Sequence, residues 1–99
     1  MPKYSAEERH PQIVERLLHT RGFNHLRARK YGAAVIVESA PKDDAHKHMR
    51  LTRQTAQVWT VDMADHRGRW QSTPFRASLD ELVPAIADTF PWTLQDLFG

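Results

Sequence analysis

Apolar residues recur at every second position in several short runs of the chain, and this alternation most constrains the fold. Leu26 and Ala28 alternate with basic residues, and Trp59 and Val61 lie on one face of a later run. A period of two is typical of half-buried β-strands, because successive side chains point to opposite faces of a sheet. The pattern therefore predicts a sheet with one apolar face and one polar face.

Turn-forming residues divide this region into four or five strands. Tyr31-Gly32, a polar segment at 40–45 and the turn at 65–68 separate successive runs. Strands that follow one another through short connections pair as an antiparallel meander. Residues 33–39 are β-branched and apolar, which predicts a strand covered on both faces or nearly so. Pro74 either ends the fifth strand or places it at a sheet edge, because proline donates no hydrogen bond to a central ladder.

Helical spacing flanks the strands on both sides. The first stripe comprises Ile13, Val14, Leu17 and Leu18, and the second comprises Leu79, Leu82, Val83, Ile86 and Phe90. We expect the first helix to open at Pro11 and to end at Gly22, and the second to start from a capping box at Ser78. The predicted fold is α+β: an N-terminal helix, a four- to five-stranded antiparallel meander, and a C-terminal helix packed on one face, in a single domain spanning 1–99.

Several function classes are excluded by residues that the chain lacks. It contains no cysteine, which excludes disulfides, Cys-type zinc sites and a thiol nucleophile. Its four glycines are isolated, so no phosphate-binding loop is present and no cofactor is expected. His46 and His48 have a spacing that suits metal chelation, but no third ligand is assigned and no metal site is predicted. The longest apolar run has five residues, so we expect a cytoplasmic protein with no membrane contact.

Charge is distributed unevenly along the chain. Residues 1–53 contain eleven Lys and Arg against six acids, a net charge of +5, whereas residues 54–99 carry −3. Five of the six histidines also lie in the basic half. A basic surface is the electrostatic signature of a protein that binds nucleic acid or another acidic partner.

The basic residues of the first and third strands alternate with core positions, which predicts one basic sheet face. The candidate binding residues are His25, Arg27, Arg29, Lys30, Lys47, His48, Arg50 and Arg53. Arginines would contact phosphates or carboxylates, and histidines would make the affinity depend on pH. Trp70 offers a ring that can stack on a base or a partner. We therefore expect a small non-catalytic binding module for nucleic acid or an acidic protein surface.

A second hypothesis rests on the C-terminal tail, which is too apolar for a solvated terminus. Its candidate interface residues are Trp92, Leu94, Leu97 and Phe98. Such a segment packs back on the sheet or on another chain. The corresponding function is a structural or homo-oligomeric interaction module.

A third hypothesis is a metal-independent ribonuclease. His46, His48 and His25 would serve as acid and base, and Arg27 and Arg50 would hold the phosphate. The order of elements over residues 13–53 resembles that of small toxins with a double-stranded-RNA-binding-domain fold from toxin–antitoxin pairs. The resemblance implies ribonuclease activity. Those toxins tend to carry a histidine just after the glycine of the first hairpin, where this chain has Ala33 after Gly32.

Overall fold

A computed structural model describes residues 4–39, 46–65 and 67–94. The elements are α1 (Arg9–Thr20), β1 (Arg27–Tyr31), β2 (Ala34–Ser39), β3 (His46–Arg53), β4 (Trp59–Ala64), β5 (Trp70–Ala77), α2 (Leu79–Thr89) and a short 3₁₀ segment (Pro91–Leu94). The strands are neighbours in chain order and every pair is antiparallel. The structure confirms the predicted α+β class, with five strands in the meander.

Both helices pack on the same face of the sheet. α1 lies mainly against β1, α2 contacts β5, and the two helices contact each other. The core between them and the sheet includes Val14, Leu18, Val35, Val37, Met49, Leu51, Trp59, Val61, Leu82, Val83 and Ile86. Each large apolar side chain buried there stabilises the fold by about 1.5–3 kcal/mol. The alternating residues predicted to face the core therefore do so.

β2 is buried along its whole length, as its composition predicts. Val35 and Val37 face the helices, whereas Ala34 and Ile36 lie on the opposite face of the sheet. On that face Ile36 stands between Arg29 of β1 and Arg50 of β3 in the strand register. Long arginine stems cover apolar surface while their charged ends stay in water, which explains the burial of Ile36 without a helix above it.

The helix ends differ in how well they were predicted. α1 begins at Arg9 rather than at Pro11, because a proline in the first helical turn lacks only an N–H that would have no partner there. At its other end Gly22 adopts a φ of +94°. The Gly22 and Phe23 N–H groups donate to His19 and Leu18 carbonyls, which confirms the predicted glycine closure. Ser78 precedes α2 as expected, but the predicted capping box does not form, because the Ser78 hydroxyl donates to Glu81 Oε1 at 3.3 Å and makes no hydrogen bond to the helix backbone.

The free edge of β1 is protected by a carboxylate from α1. The Ala28 N–H donates to Glu15 Oε2 at 2.9 Å. β1 is the first strand of the sheet, so one side of it has no strand partner. An exposed edge strand invites pairing with other chains, and an inward-pointing charge is one way to block that pairing.

We predict that Glu15→Ala lowers the free energy of unfolding by about 1–3 kcal/mol, because a partly buried N–H loses a charged acceptor. Urea denaturation followed by circular dichroism measures the change. Asp88→Ala is the matched control, since it removes an exposed helical carboxylate that pairs with Arg21 and is worth at most about 1 kcal/mol. Equal losses in the two variants would contradict the assigned role of Glu15.

His10 anchors the start of α1 to the sheet. The residue is 5% exposed. Its ring lies edge-on to Trp59, with 4.9 Å between ring centres, and Nδ1 accepts a hydrogen bond of 2.8 Å from the Glu7 N–H. Burial, together with the nearby positive charge of Arg53, lowers the pKa of His10 below 6.5. The native state therefore favours the neutral imidazole, whose Nδ1 lone pair accepts that bond.

Because the unfolded chain binds this proton more readily than the native state, stability should fall as pH drops below about 6.5. Arg9 and Arg53 lower the pKa of Glu7 below 4.5, so Glu7 does not titrate in this window. We predict that His10→Asn, which keeps an acceptor near the Nδ1 position, flattens the pH dependence of the urea midpoint between about pH 7.5 and 5.5. If the slope of the urea midpoint against pH is unchanged in this variant, His10 does not cause the pH dependence.

Candidate binding face

The face of the sheet opposite the helices, here called the outer face, has no described helix above it. The strand register places on it Arg27, Arg29, Tyr31, Ala34, Ile36, Glu38, Lys47, Arg50, Thr52, Thr60, Asp62, Ala64, Trp70, Ser72 and Arg76. Five of these side chains are cations and two are carboxylates. The outer face is therefore basic among the residues that the structure describes.

Glu38 holds the cations of β1 in place. It is 5% exposed, and its Oε1 lies 3.7 Å from Arg27 Nε and 3.1 Å from Arg29 Nε. A buried carboxylate is costly unless cations and hydrogen bonds compensate for the lost water. Glu38 therefore depends on both arginines, and in turn it orients their guanidinium groups across the outer face.

Arg50 is oriented in a similar way from the middle of the sheet. Its Nε and Nη2 atoms donate to Asp62 Oδ2 at 3.0 and 2.8 Å. Its guanidinium carbon also lies 5.0 Å from the centre of the Trp70 ring, a cation–π distance. These contacts fix Arg50 in one position, which lowers the entropy lost when it binds a further anion.

Lys47 and Arg76 are the most available cations of this surface. Both are exposed, and neither forms an ion pair with a carboxylate in the described part of the chain. Sequence reasoning misses Arg76 if Pro74 ends the fifth strand, whereas β5 continues to Ala77. Continuing the period of two from Trp70 through Pro74 places Arg76 on the same face as Trp70. The alternative placement of Pro74, in an edge strand, is confirmed.

The two predicted histidines do not share this face. His25 donates from Nε2 to the Leu94 carbonyl at 2.6 Å, and His48 is 3% exposed and hydrogen-bonded to Ser39 Oγ at 2.8 Å. The prediction that they line the basic face is wrong in its geometry. A register shift between Val37 and Glu38 breaks the period of two next to His48.

Lys30 and Arg53 also lie on the other side of the sheet. Lys30 pairs in register with core residue Val35, and its Nζ lies 3.7 Å from Glu8. Arg53 is buried, and its guanidinium donates to the carbonyls of Ser5 and Ala56 and to the carboxylate of Glu7. Arg53 thus ties the N-terminal segment and the β3–β4 connection together, and the structure does not bring it to the candidate face.

The set of residues proposed for a ribonuclease is divided between two regions. Three histidine rings form an edge-on row. The ring centre of His48 lies 6.3 Å from that of His25 and 4.8 Å from that of His46. Arg27 and Arg50 instead face Glu38 and Asp62 on the outer face. Within residues 4–39, 46–65 and 67–94, no group of three histidines or acids is arranged to hold a metal ion.

The described part of the tail packs within its own chain. Leu94 has no exposed surface and belongs to the core, so it is not available as an interface residue. Trp92 lies in the 3₁₀ segment. Leu97 and Phe98 lie outside the described residues.

Comparison with protein-family models, with curated proteins and with solved structures finds no match. Neither helix in the described part of the chain has the length and apolar character needed to cross a bilayer.

We predict that Glu38→Gln lowers the free energy of unfolding by about 1–3 kcal/mol, because Arg29 loses a charged hydrogen-bond acceptor and Arg27 loses an ion-pair partner. Chemical denaturation measures the loss. Glu81→Gln, at an exposed position, is the control and should change stability by less than about 1 kcal/mol. A neutral effect of Glu38→Gln would show that the two ion pairs do not hold this part of the face.

Proposed function

We propose that this protein is a small, non-catalytic binding module whose outer face engages an acidic partner, either nucleic acid or an acidic protein surface. The observation that supports the proposal is an uncovered sheet face with five cations against two carboxylates. Such a surface attracts anions at long range and binds them through charge-assisted hydrogen bonds.

The internal ion pairs of the face favour this role over a purely structural one. Arg29 and Arg50 keep a substantial part of their side chains exposed while each is held by a carboxylate. A guanidinium has five N–H donors, and one carboxylate does not use all of them. The remaining donors are oriented in advance for a phosphate or a second carboxylate.

The experiment compares two double variants that remove the same charge from opposite sides of the sheet. Lys47→Gln with Arg76→Gln alters the outer face, and Arg9→Gln with Arg16→Gln alters exposed positions on α1. Fluorescence anisotropy with a labelled short single-stranded oligonucleotide and with labelled poly-glutamate is recorded over a range of salt concentrations. Non-specific binding typically has a Kd of about 10⁻⁴–10⁻⁶ M at physiological salt.

We expect the outer-face variant to bind more weakly and to lose about 0.7 in the slope of log affinity against log salt for each single-strand phosphate contact removed. The α1 variant should stay close to the unaltered protein. Equal losses in both variants would mean that charge alone, and not this face, drives binding. No binding of either probe at low salt would overturn the proposal.

A further inference from the structure

We infer that the acidic partner is a single-stranded nucleic acid that lies across the strands of the outer face and stacks its bases on Tyr31 and Trp70. This inference rests on the function proposed above and identifies the class of ligand. It is based on two aromatic side chains of the outer face, which the binding of an anion through charge alone would not require.

Tyr31 is the first of these side chains. It is 65% exposed, more than any other large apolar side chain in the described residues, so its ring contributes little to the core. The Arg29 guanidinium carbon lies 5.6 Å from the ring centre. A ring beside a cation suits a nucleotide, because the ring stacks on the base while the cation neutralises a phosphate.

Trp70 provides the same combination at the opposite edge of the sheet. It lies on β5, the last strand, with the Arg50 guanidinium carbon 5.0 Å from its ring centre. β1 and β5 are separated by four strand spacings, or about 19 Å at 4.8 Å per spacing. A ligand that contacts both rings must therefore extend across the whole sheet.

Each edge strand of the outer face has one ring and one cation at its two ends. On β1, Arg27 and Tyr31 occupy the two ends, and on β5, Trp70 and Arg76 do so. The floor between them is formed partly by small side chains, namely Ala34, Thr52, Thr60 and Ser72. In the strand register Ala34, Thr52 and Thr60 lie in line between Tyr31 and Arg76, which leaves a low path beside the Tyr31 ring. Trp70 lies at the other end of β5, so a strand that contacts both rings runs diagonally over the face.

Charge complementarity selects an anionic ligand, and the aromatic rings distinguish among anions. The bases of a duplex are stacked inside it, and reading its major groove needs an element that enters a channel about 12 Å wide. No described helix lies on this side of the sheet to do so. An acidic protein surface offers carboxylates for the cations but does not require the two rings. A single strand uses both the cations and the rings.

The test uses anisotropy with a labelled single strand of mixed sequence, the same sequence as a duplex, and poly-glutamate. Tyr31→Leu should weaken single-strand binding by about 5- to 150-fold, the range expected for one lost base stack. Its salt slope should stay unchanged because no phosphate contact is removed. Tyr31→Phe should restore the affinity, since phenylalanine keeps the ring.

Tyr4→Leu is the matched control. Tyr4 is also an exposed tyrosine with an arginine over its ring, with the Arg53 guanidinium carbon 5.5 Å from the ring centre. Arg53, however, lies on the helix side of the sheet, so this variant should bind the single strand like the unaltered protein. Thermal melts establish that each variant is folded before its binding is compared.

The outcomes separate this inference from the proposed function. If Tyr31→Leu binds the single strand as tightly as Tyr4→Leu does, base stacking is wrong, while a loss in the Lys47 and Arg76 double variant still supports the basic face. If the duplex or poly-glutamate binds as tightly as the single strand, the partner is of another class and the inference is overturned. If no probe binds at low salt, both fail.

Discussion

Most of the buried apolar side chains on the described strands lie on one face of the sheet, and the rest of the structure follows from that constraint. Val35, Val37 and Leu51 require cover from both helices on the same side. With α1 and α2 committed to that side, the described chain leaves no helix for the opposite face. That face therefore has to be compatible with water, and its apolar centre at Ile36 is shielded by arginine stems instead.

The shielding has an electrostatic consequence for the outer face. Arginines close to one another repel, and Glu38 and Asp62 offset that repulsion while holding the guanidinium groups in place. The same contacts that stabilise the sheet also leave oriented donors at its surface. Stability and the proposed binding function therefore depend on one network of charges. Among the described residues, Lys47 and Arg76 form no ion pair with the carboxylates of this network.

Much of the fold was predictable because local patterns report local geometry. The period of two located the strands, and Gly22 was recognised as the residue that closes α1. The candidate site was only partly predictable. Arg27, Arg29 and Arg50 reach the outer face as the alternation predicts. The register shift beside His48 breaks that alternation, so His48 leaves the outer face and Lys47, which has the parity of the core residues Met49 and Leu51, lies on it. A bulge leaves no clear signature in the sequence.

By itself the sequence determined the order of the elements and the α+β class, because helix and strand periods are properties of neighbouring residues. It also determined which side chains are apolar enough to need a core. Only the tertiary structure decided which cations already have hydrogen-bonding partners within the protein. The partners of Arg53 include Ser5 and Glu7, which lie more than forty positions away along the chain. Such pairings depend on how the sheet and helices pack, and no local pattern encodes the identity of a distant partner.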